Sequence, residues 1–220
     1  MSEIHYRYSR PYISIKDPIS ALTHFIGFLA SIFATPLLLS KAGILCSDPI
    51  KMIGLSIYCL SLIVLYGASS AYHSFILPHS KTRILKKIDH ISVFLLIAGS
   101  YTPICLSLLN DRNLLIIIWV LALCGIIMKL FWIYCPKYVS SIVYIVLGWT
   151  ALLRIKAIYL ALGQIGFFWL LTGGLFYTIG GIIYALHIKI SDRWSEHEIF
   201  HIFVLLGSLC HYIMMFDYIV

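Results

Sequence analysis

Two histidines near the C-terminal end of the chain have the spacing of a metal-chelating pair. His197 and His201 are four residues apart in the run His197-Glu198-Ile199-Phe200-His201. On a helix, residues four apart lie on one face about one turn apart, so both imidazoles can reach one metal ion. The run opens the last apolar stretch of the chain, and an ionisable cluster at the rim of a membrane segment is a functional hypothesis by default. We therefore predict a metal site here, with any further ligands on other apolar segments.

The composition predicts an integral membrane protein. Of the 220 residues, 61% are hydrophobic and 11% are charged, and the mean hydropathy is +0.95. So few polar side chains cannot cover the apolar ones in water. The formal net charge of +7 comes from basic residues between apolar runs, which favours anionic phospholipid as the partner and argues against nucleic acid. The six cysteines form no CxxC pair, so we predict no disulfide framework.

Apolar windows of about 20 residues predict an all-α, polytopic membrane protein with a bundle of seven transmembrane helices. We expect a tail of residues 1–17 followed by a single domain over 18–220. The limits of the fifth helix are open, because Arg154 and Lys156 interrupt its apolar run. The predicted helices are Pro18–Ser40, Met52–Ile76, Ile88–Leu109, Leu114–Tyr134, Tyr138–Leu153, Gly166–His187 and His197–Val220.

The distribution of lysine and arginine predicts the orientation. Short loops on the cytoplasmic side of a membrane protein carry an excess of these residues. Of the 16 in this chain, eleven fall on the side of the N-terminus, and the other side has only Lys41, Lys51, Arg112, Arg154 and Lys156. The N-terminus is therefore predicted to be cytoplasmic, and seven spans put the C-terminus outside.

This orientation brings further polar residues to the cytoplasmic level of the histidine pair. Ser69 and His73 lie four apart near the cytoplasmic end of the second helix, and Asp89 begins the third. Asp17 and His24 lie at the start of the first helix on the same side. Three histidines plus a water are the composition of an open, catalytic-type zinc site, where a nearby carboxylate can orient or deprotonate the water.

Four motifs in this order resemble those of the hemolysin III family, which is grouped with the progestin and adiponectin receptor proteins and the alkaline ceramidases. The resemblance extends from Asp17 to His211. The motifs are Ser69-x-x-x-His73, Asp89-His90 followed by Phe94 to Pro103, the glycine-rich run from Gly173 to Gly180, and His197 to His201 continued through Gly207-Ser208 and His211.

The resemblance implies seven helices, a cytoplasmic N-terminus and Zn²⁺ held near the cytoplasmic face. Carried over position by position, the zinc ligands are His73, His197 and His201. Asp89 and Ser69 match the acid and the hydroxyl that flank the metal in relatives. Where the family is expected to carry a glutamate and an asparagine ahead of Thr-His, this chain has Asp17 and Ser20.

The remaining histidines have simpler interpretations. A histidine at a helix end is usually an interfacial side chain with its polar tip in water. This interpretation is favoured for His24. The alternative is that His24 contacts a zinc ligand and helps to orient it without binding the metal itself. His211 lies roughly 15 Å beyond His201 along the helix axis, so it is expected to be buried and hydrogen-bonded. We interpret three others as interfacial without an alternative, namely His5, His79 and His187.

Two local alternatives stay open at the candidate site. Asp89 can instead form a salt bridge with Lys86 or Lys87. The run His197-Glu198-x-x-His201 also matches the H-E-x-x-H pattern of zinc metalloproteases, in which the glutamate is the general base. Such enzymes commonly take an acidic third ligand from downstream, where only Asp217 remains, at the predicted far side of the membrane. We therefore interpret Glu198 as an interfacial residue.

The leading functional hypothesis is a zinc-dependent amidase or esterase in the cell membrane that acts on a lipid. Asp89 would be the base or water orienter, and Ser69 would donate a hydrogen bond to the carbonyl oxygen. A pore-forming haemolysin or channel is one alternative, although the predicted spans are apolar throughout their middles. The other is a zinc-stabilised receptor-like or lipid-homeostasis protein without turnover. The sequence leaves the substrate and the oligomeric state open.

Overall fold

The computed structural model describes residues 15–45, 48–188, 190 and 194–220. Every regular element among them is helical. Short π-helical segments, Ile104–Leu108 and Met215–Ile219, extend the third and the last helix, and a 3-10 segment, Trp149–Arg154, joins the fifth to the sixth. Of the predicted tail, residues 1–14 lie outside the described part, as do Lys189 and Arg193. The helices are α1 (Pro18–Leu45), α2 (Pro49–Ser74), α3 (His79–Pro103), α4 (Arg112–Phe131), α5 (Lys137–Gly148), α6 (Ile155–Ala185) and α7 (Glu196–Met214).

Six helical segments of the described chain are long and apolar enough to cross a membrane. Their outward faces carry large exposed apolar side chains, among them Phe33, Leu37, Leu60 and Leu160. Helices satisfy their backbone hydrogen bonds internally, so they are suited to lipid surroundings. The predicted all-helical membrane class is confirmed, whereas the count of seven crossings and the orientation of the termini stay predictions.

One of the six segments, Lys137–Ala185, is 49 residues long. As one straight helix it would extend about 70 Å, which is more than twice the hydrocarbon thickness of a bilayer. The helix is interrupted at Gly163, whose φ of 67° and ψ of 178° are not helical. Residues with a Cβ essentially never adopt this conformation, so the break requires a glycine.

The chain folds back on itself at Gly163. The ring of Tyr159 packs edge-on against that of Phe167, with centroids 5.2 Å apart. Farther from the break, the indole Nε1 of Trp149 donates a hydrogen bond of 2.9 Å to Thr178 Oγ1. In each pair, the two residues lie about equally far before and after Gly163 in the sequence. This is the pattern of contacts in an antiparallel helical hairpin. The residues between the predicted fifth and sixth helices are therefore largely helical.

The helices pack in chain order, with α1 against α2, α2 against α3 and α6 against α7, and α1 also contacts α7. Two glycines allow the close approach of α6 to α7. A Cβ at Gly173 would lie 2.3 Å from the His211 ring, and one at Gly180 would lie 2.6 Å from Phe203. This arrangement brings the end of α2 and the beginning of α7 to the same end of the bundle.

A buried hydrogen-bond network joins α2, α6 and α7 at mid-height. The Tyr66 hydroxyl donates to Ser208 Oγ over 2.6 Å, and the Tyr177 hydroxyl lies 2.8 Å from the same oxygen. Because buried polar groups are costly unless they are paired, this network favours one register of the three helices. It therefore fixes the height of α7 relative to α2.

Candidate metal centre

The first turn of α7 is held by a capping box. Ser195 Oγ accepts a hydrogen bond from the Glu198 amide over 3.3 Å, and Glu198 Oε2 accepts one from the Ser195 amide over 2.8 Å. This reciprocal pair satisfies amides that the helix itself leaves free. Glu198 thus fixes the start of the helix, and the structure gives its carboxylate a capping role.

His73, His197 and His201 come together at the end of the bundle where α2 ends and α7 begins. Each offers one ring nitrogen, and the three ligand atoms lie within 4.8 Å of one another. The Nε2 atoms of His73 and His197 are 3.1 Å apart. At this distance one of the two nitrogens can donate a hydrogen bond to the other, and the tautomers decide which one donates. The cluster could hold a metal ion.

The outer nitrogens of two of these rings are bound to acceptors on the N-terminal part of the chain. His73 Nδ1 donates to the Asp17 carboxylate over 2.8 Å, and His201 Nδ1 donates to the Ser20 carbonyl oxygen over 3.3 Å. These bonds fix the ring orientations and leave the lone pair on Nε2, as is usual for histidines that bind zinc. The donor set therefore fits Zn²⁺, which imidazole nitrogens bind at about 2.0–2.1 Å.

Asp17 is charged in this arrangement. Its partial burial opposes ionisation, but the hydrogen bond from His73 and the positive charge of Lys16 outweigh burial, so the pKa of the carboxyl lies below its usual value. The Lys16 ammonium lies 3.3 Å from the same carboxylate. Asp17 and Ser20 are the two positions where the chain departs from the expected family pattern, and the structure gives both of them a contact with a candidate ligand.

Asp89 and Ser69 lie beside the histidine cluster. Both are buried, with exposed fractions of 8% and 1%, and the two side chains lie close together. The carboxylate also lies 3.3 Å from His90 Nδ1. Its negative charge acts on His73 and His197.

The alternative salt bridges of Asp89 are absent among the described residues. The Lys86 ammonium lies over the Tyr134 ring, 4.6 Å from its centroid. The Lys87 ammonium donates to the Leu130 carbonyl oxygen over 2.5 Å. The Asp89 carboxylate is therefore not engaged by either lysine and remains beside the histidine cluster.

The interpretation of His24 as an interfacial side chain is wrong. Its exposed fraction is 3%, and its ring stacks on that of His201 at a centroid distance of 3.6 Å and an interplanar angle of 7°. Neither ring nitrogen has a hydrogen-bond partner among the described residues. The side chain is buried because α1 packs against α7, which the sequence of α1 alone does not reveal. His24 therefore supports a candidate ligand by stacking.

The other histidines lie away from the cluster. His211 Nε2 donates to the Leu170 carbonyl oxygen over 3.2 Å, as expected of a hydrogen-bonded histidine inside the bundle. His79 and His187 are exposed, as predicted, and His187 Nδ1 lies 3.1 Å from Glu196. His5 lies outside the described residues.

A partly open cavity begins at the cluster and runs along α7. The centres of water molecules can occupy a volume of about 190 Å³ within it. Its polar end is lined by Ser69, Asp89, His197 and His201, and its far end by Met214. The thirteen residues from His201 to Met214 correspond to roughly 20 Å of helix. Most of the wall between these ends is apolar, formed by side chains such as Leu96, Ile104, Leu170 and Val204.

Comparison with known proteins shows the family to which the chain belongs. A model of the haemolysin-III related family matches residues 12–212. The chain is 37% identical over 216 residues to the Hemolysin-3 homolog of Bacillus subtilis (strain 168), which covers 94% of this chain and 96% of that protein. It is 35% identical over 217 residues to Hemolysin-3 of Bacillus cereus, with 93% of each chain covered.

A more distant relative is the adiponectin receptor protein of Drosophila melanogaster. The two are 25% identical over 218 residues, which is 86% of this chain and 48% of that protein. The haemolysin relatives, in contrast, match over almost their entire length. The chain belongs to the haemolysin-III related family of multi-pass cell-membrane proteins.

Proposed function

We propose that this protein is a zinc-dependent hydrolase that cleaves an amide or ester bond of a membrane lipid. The observation that carries the proposal is the position of the three-histidine cluster at the polar end of a long apolar cavity, with a buried carboxylate beside it. A cluster that only tied helices together would need no such cavity. A lipid, in contrast, can place its carbonyl at the cluster and its chain along the cavity.

His73, His197 and His201 would hold the zinc ion. Bound there, zinc would acidify a water molecule and polarise a carbonyl group. The hydrogen bonds from His73 to Asp17 and from His201 to Ser20 keep both rings in the tautomer that a metal requires. Asp17 in particular makes His73 a stronger electron donor.

Asp89 would accept the proton of the attacking water and return it to the leaving group. Its position beside the histidines and within the cavity wall supports this role, because a general base must lie within hydrogen-bonding reach of its proton. Ser69 would donate a hydrogen bond to the carbonyl oxygen of the substrate. A donor placed where negative charge develops stabilises the transition state.

The fold-back at Gly163 supports seven crossings of the membrane. It divides Lys137–Ala185 into arms of 26 and 22 residues, and about 20 residues suffice to span a bilayer. With the N-terminus in the cytoplasm, the histidine cluster then lies near the cytoplasmic face, and the C-terminus lies outside. The bond would be cleaved at the level of inner-leaflet headgroups.

The names of the two Bacillus relatives favour a second function, membrane lysis. A pore, however, needs polar residues along its whole length, and the wall of the cavity is mainly apolar. The metal cluster also has no evident part in lysis. We therefore place the hydrolase first.

Metal analysis of detergent-purified protein is the first test. We expect about one zinc per chain in the wild type, and His73→Ala and His201→Ala should each lose most of it. Glu198→Gln is the matched control, because a glutamine preserves the capping box and should leave zinc in place. Full zinc content in His73→Ala would rule out a site shared between α2 and α7. Retained zinc with lost hydrolysis in Glu198→Gln would instead support a metalloprotease-type base.

Turnover is tested by release of fatty acid from ceramide-like and phospholipid vesicles. Asp89→Asn should keep the fold and the zinc but reduce the rate by about 10²–10⁴-fold, as expected for loss of a general base. Ser69→Ala should cost less, at most about 3 kcal/mol in activation free energy. Ser31→Ala, a change of a buried serine on α1 away from the cavity, is the control and should have no effect.

Dye leakage from the same vesicles separates the hydrolase from the pore. We expect little leakage, and none that depends on Asp89. Leakage by a wild type that shows no zinc-dependent turnover would exclude the hydrolase. Undiminished turnover in Asp89→Asn would exclude the role of that carboxylate alone.

A further inference from the structure

A buried lysine near the polar end of the cavity has no part in the proposed chemistry. Lys129 lies in the last turn of α4, and its exposed fraction is 0%. None of the ion pairs between described residues includes it. A buried ammonium without a carboxylate is costly, and an ionisable residue in a membrane segment commonly marks a functional site.

The hydrogen-bond partners of Lys129 are a hydroxyl and a thiol. Its Nζ lies 2.5 Å from Ser140 Oγ and 3.1 Å from Cys135 Sγ. An ammonium can only donate, so Ser140 Oγ must be the acceptor. Ser140 Oγ also lies 3.2 Å from Cys135 Sγ, and either atom can be the donor of that contact. Where the thiol donates, the Ser140 hydroxyl proton is available to a ligand, and the adjacent positive charge strengthens it as a donor.

Ser140 faces the cavity. Ser140, Ser141 and Tyr144 line its wall on α5, and the Tyr144 hydroxyl donates a 3.0 Å hydrogen bond to the carbonyl oxygen of His90, the residue after Asp89. The Lys129 ammonium does not line the cavity itself. Ser140 therefore links this positive charge to the space that a bound lipid would occupy.

A second lysine adds to the positive potential at this end. Lys86, on α3, lies near enough to Lys129 for the two ammonium groups to repel each other. Lys16 adds to this repulsion, whereas Asp89 and Cys135 offset part of it. Repelling charges in surroundings of low dielectric constant are relieved by an anion placed among them.

We propose that Ser140, polarised by Lys129, forms a subsite at the polar end of the cavity that binds an anionic oxygen group of a lipid. The group is the phosphate of a headgroup or the carboxylate of a fatty acid, since both accept hydrogen bonds from a hydroxyl and both balance the lysine charges. Ser140 makes the contact, and Lys129 is a positioning residue that acts through it. The inference rests on the part of the proposed function that places a lipid in the cavity, but it does not require hydrolysis.

The test measures lipid binding to zinc-loaded protein in uncharged detergent. Three probes share the same hydrocarbon chains: an ether-linked phosphatidic acid, the free fatty acid and the ether-linked neutral glyceride. Ether links prevent cleavage, so the measurement is independent of turnover. The wild type should bind at least one of the anionic probes roughly tenfold more tightly than the neutral probe, as expected for a charge-assisted hydrogen bond.

Lys129→Met and Ser140→Ala should each reduce this preference to within about twofold while leaving binding of the neutral probe unchanged. A merely structural role would weaken all three probes equally, which would overturn the proposal. Loss of the preference for phosphatidic acid identifies the headgroup phosphate as the ligand, and loss of the preference for fatty acid identifies the carboxylate.

Two controls are matched to these changes. Ser31→Ala removes a buried serine outside the cavity, and Lys41→Met removes a lysine that pairs with Asp217. Both should keep the wild-type preference. If Lys129→Met fails to fold, Ser140→Ala decides, because it keeps the lysine. A wild type without preference for either anionic probe, or a Ser140→Ala variant that keeps it, would refute the subsite. Absence of hydrolysis would refute only the proposed function.

Discussion

The orientation of the histidine rings in the candidate metal centre is set by residues outside it. Asp17 and the Ser20 carbonyl oxygen bind the outer nitrogens of His73 and His201, and the His24 ring stacks on His201. All three of these residues lie at the beginning of α1 or just before it. The start of α1 therefore positions candidate ligands that belong to α2 and α7.

Removal of the Asp17 carboxylate should weaken zinc binding without abolishing it. Asp17→Ala leaves His73 Nδ1 without its acceptor, so the ring loses its fixed tautomer and orientation. Changes of this kind typically lower metal affinity by about 10–100-fold. Competition with a fluorescent zinc chelator measures the effect.

The matched control is Asp111→Ala. Asp111 also carries a paired carboxylate, since it caps α4 at Leu114 and accepts a 2.6 Å hydrogen bond from Arg154. The Leu114 amide and Arg154 keep the pKa of Asp111 below its usual value. This residue is not part of the histidine cluster, so its removal should leave zinc affinity unchanged. Equal zinc affinities of Asp17→Ala and the wild type would contradict the supporting role of Asp17.

At the scale of helices, the capping box at α7 changes the meaning of a sequence motif. His197-Glu198-x-x-His201 has the pattern of a zinc metalloprotease, in which the glutamate acts as base. Here the Glu198 carboxylate bonds to the Ser195 amide and fixes the first helical turn. The expectation that Glu198 lies at the interface did not include this role.

Gly163 supplies a prediction at the same scale. Its φ of 67° and ψ of 178° should make Gly163→Ala less stable by about 1–3 kcal/mol, because a Cβ strains this conformation. Denaturation in mixed detergent and SDS measures the free energy of unfolding.

Gly43→Ala is the control for Gly163→Ala. Gly43 lies within α1, and a Cβ there would meet nothing within 4 Å. This change should be neutral or should stabilise the protein by up to about 1 kcal/mol, because alanine has a higher helix propensity than glycine. A Gly163→Ala variant as stable as the wild type would show that the fold-back does not depend on this backbone conformation.

At the scale of the whole molecule, the number of crossings decides on which side the C-terminus lies. Seven crossings with a cytoplasmic N-terminus predict that a reporter active only in the cytoplasm works at the N-terminus and after Lys86, but fails after Val220. Fusion after Lys156 should also fail, since seven crossings would place that residue near an outer turn at Gly163. Activity after Val220 would mean an even number of crossings, with Lys137–Ala185 crossing once.

The sequence by itself determined the helical membrane class and the four-residue spacing of the histidines. Both depend on local properties, namely the length of apolar runs and the period of a helix. The charge distribution predicted a common level for His73, Asp89 and the pair on α7, and the structure brings these residues together. Depth along a helix follows from residue counting, so it can be inferred without a partner helix.

Only the tertiary structure decided which side chains meet. Contacts between helices depend on the rotation of each helix about its axis and on its neighbours, and neither is encoded in a single apolar run. The stacking of His24, the acceptors Asp17 and Ser20, and the burial of Lys129 all arise in this way. The fold-back at Gly163 is a similar case. In the sequence, a lone glycine in an apolar run is compatible with a continuous helix. Only the packing of Trp149 against Thr178 shows that the chain reverses its direction there.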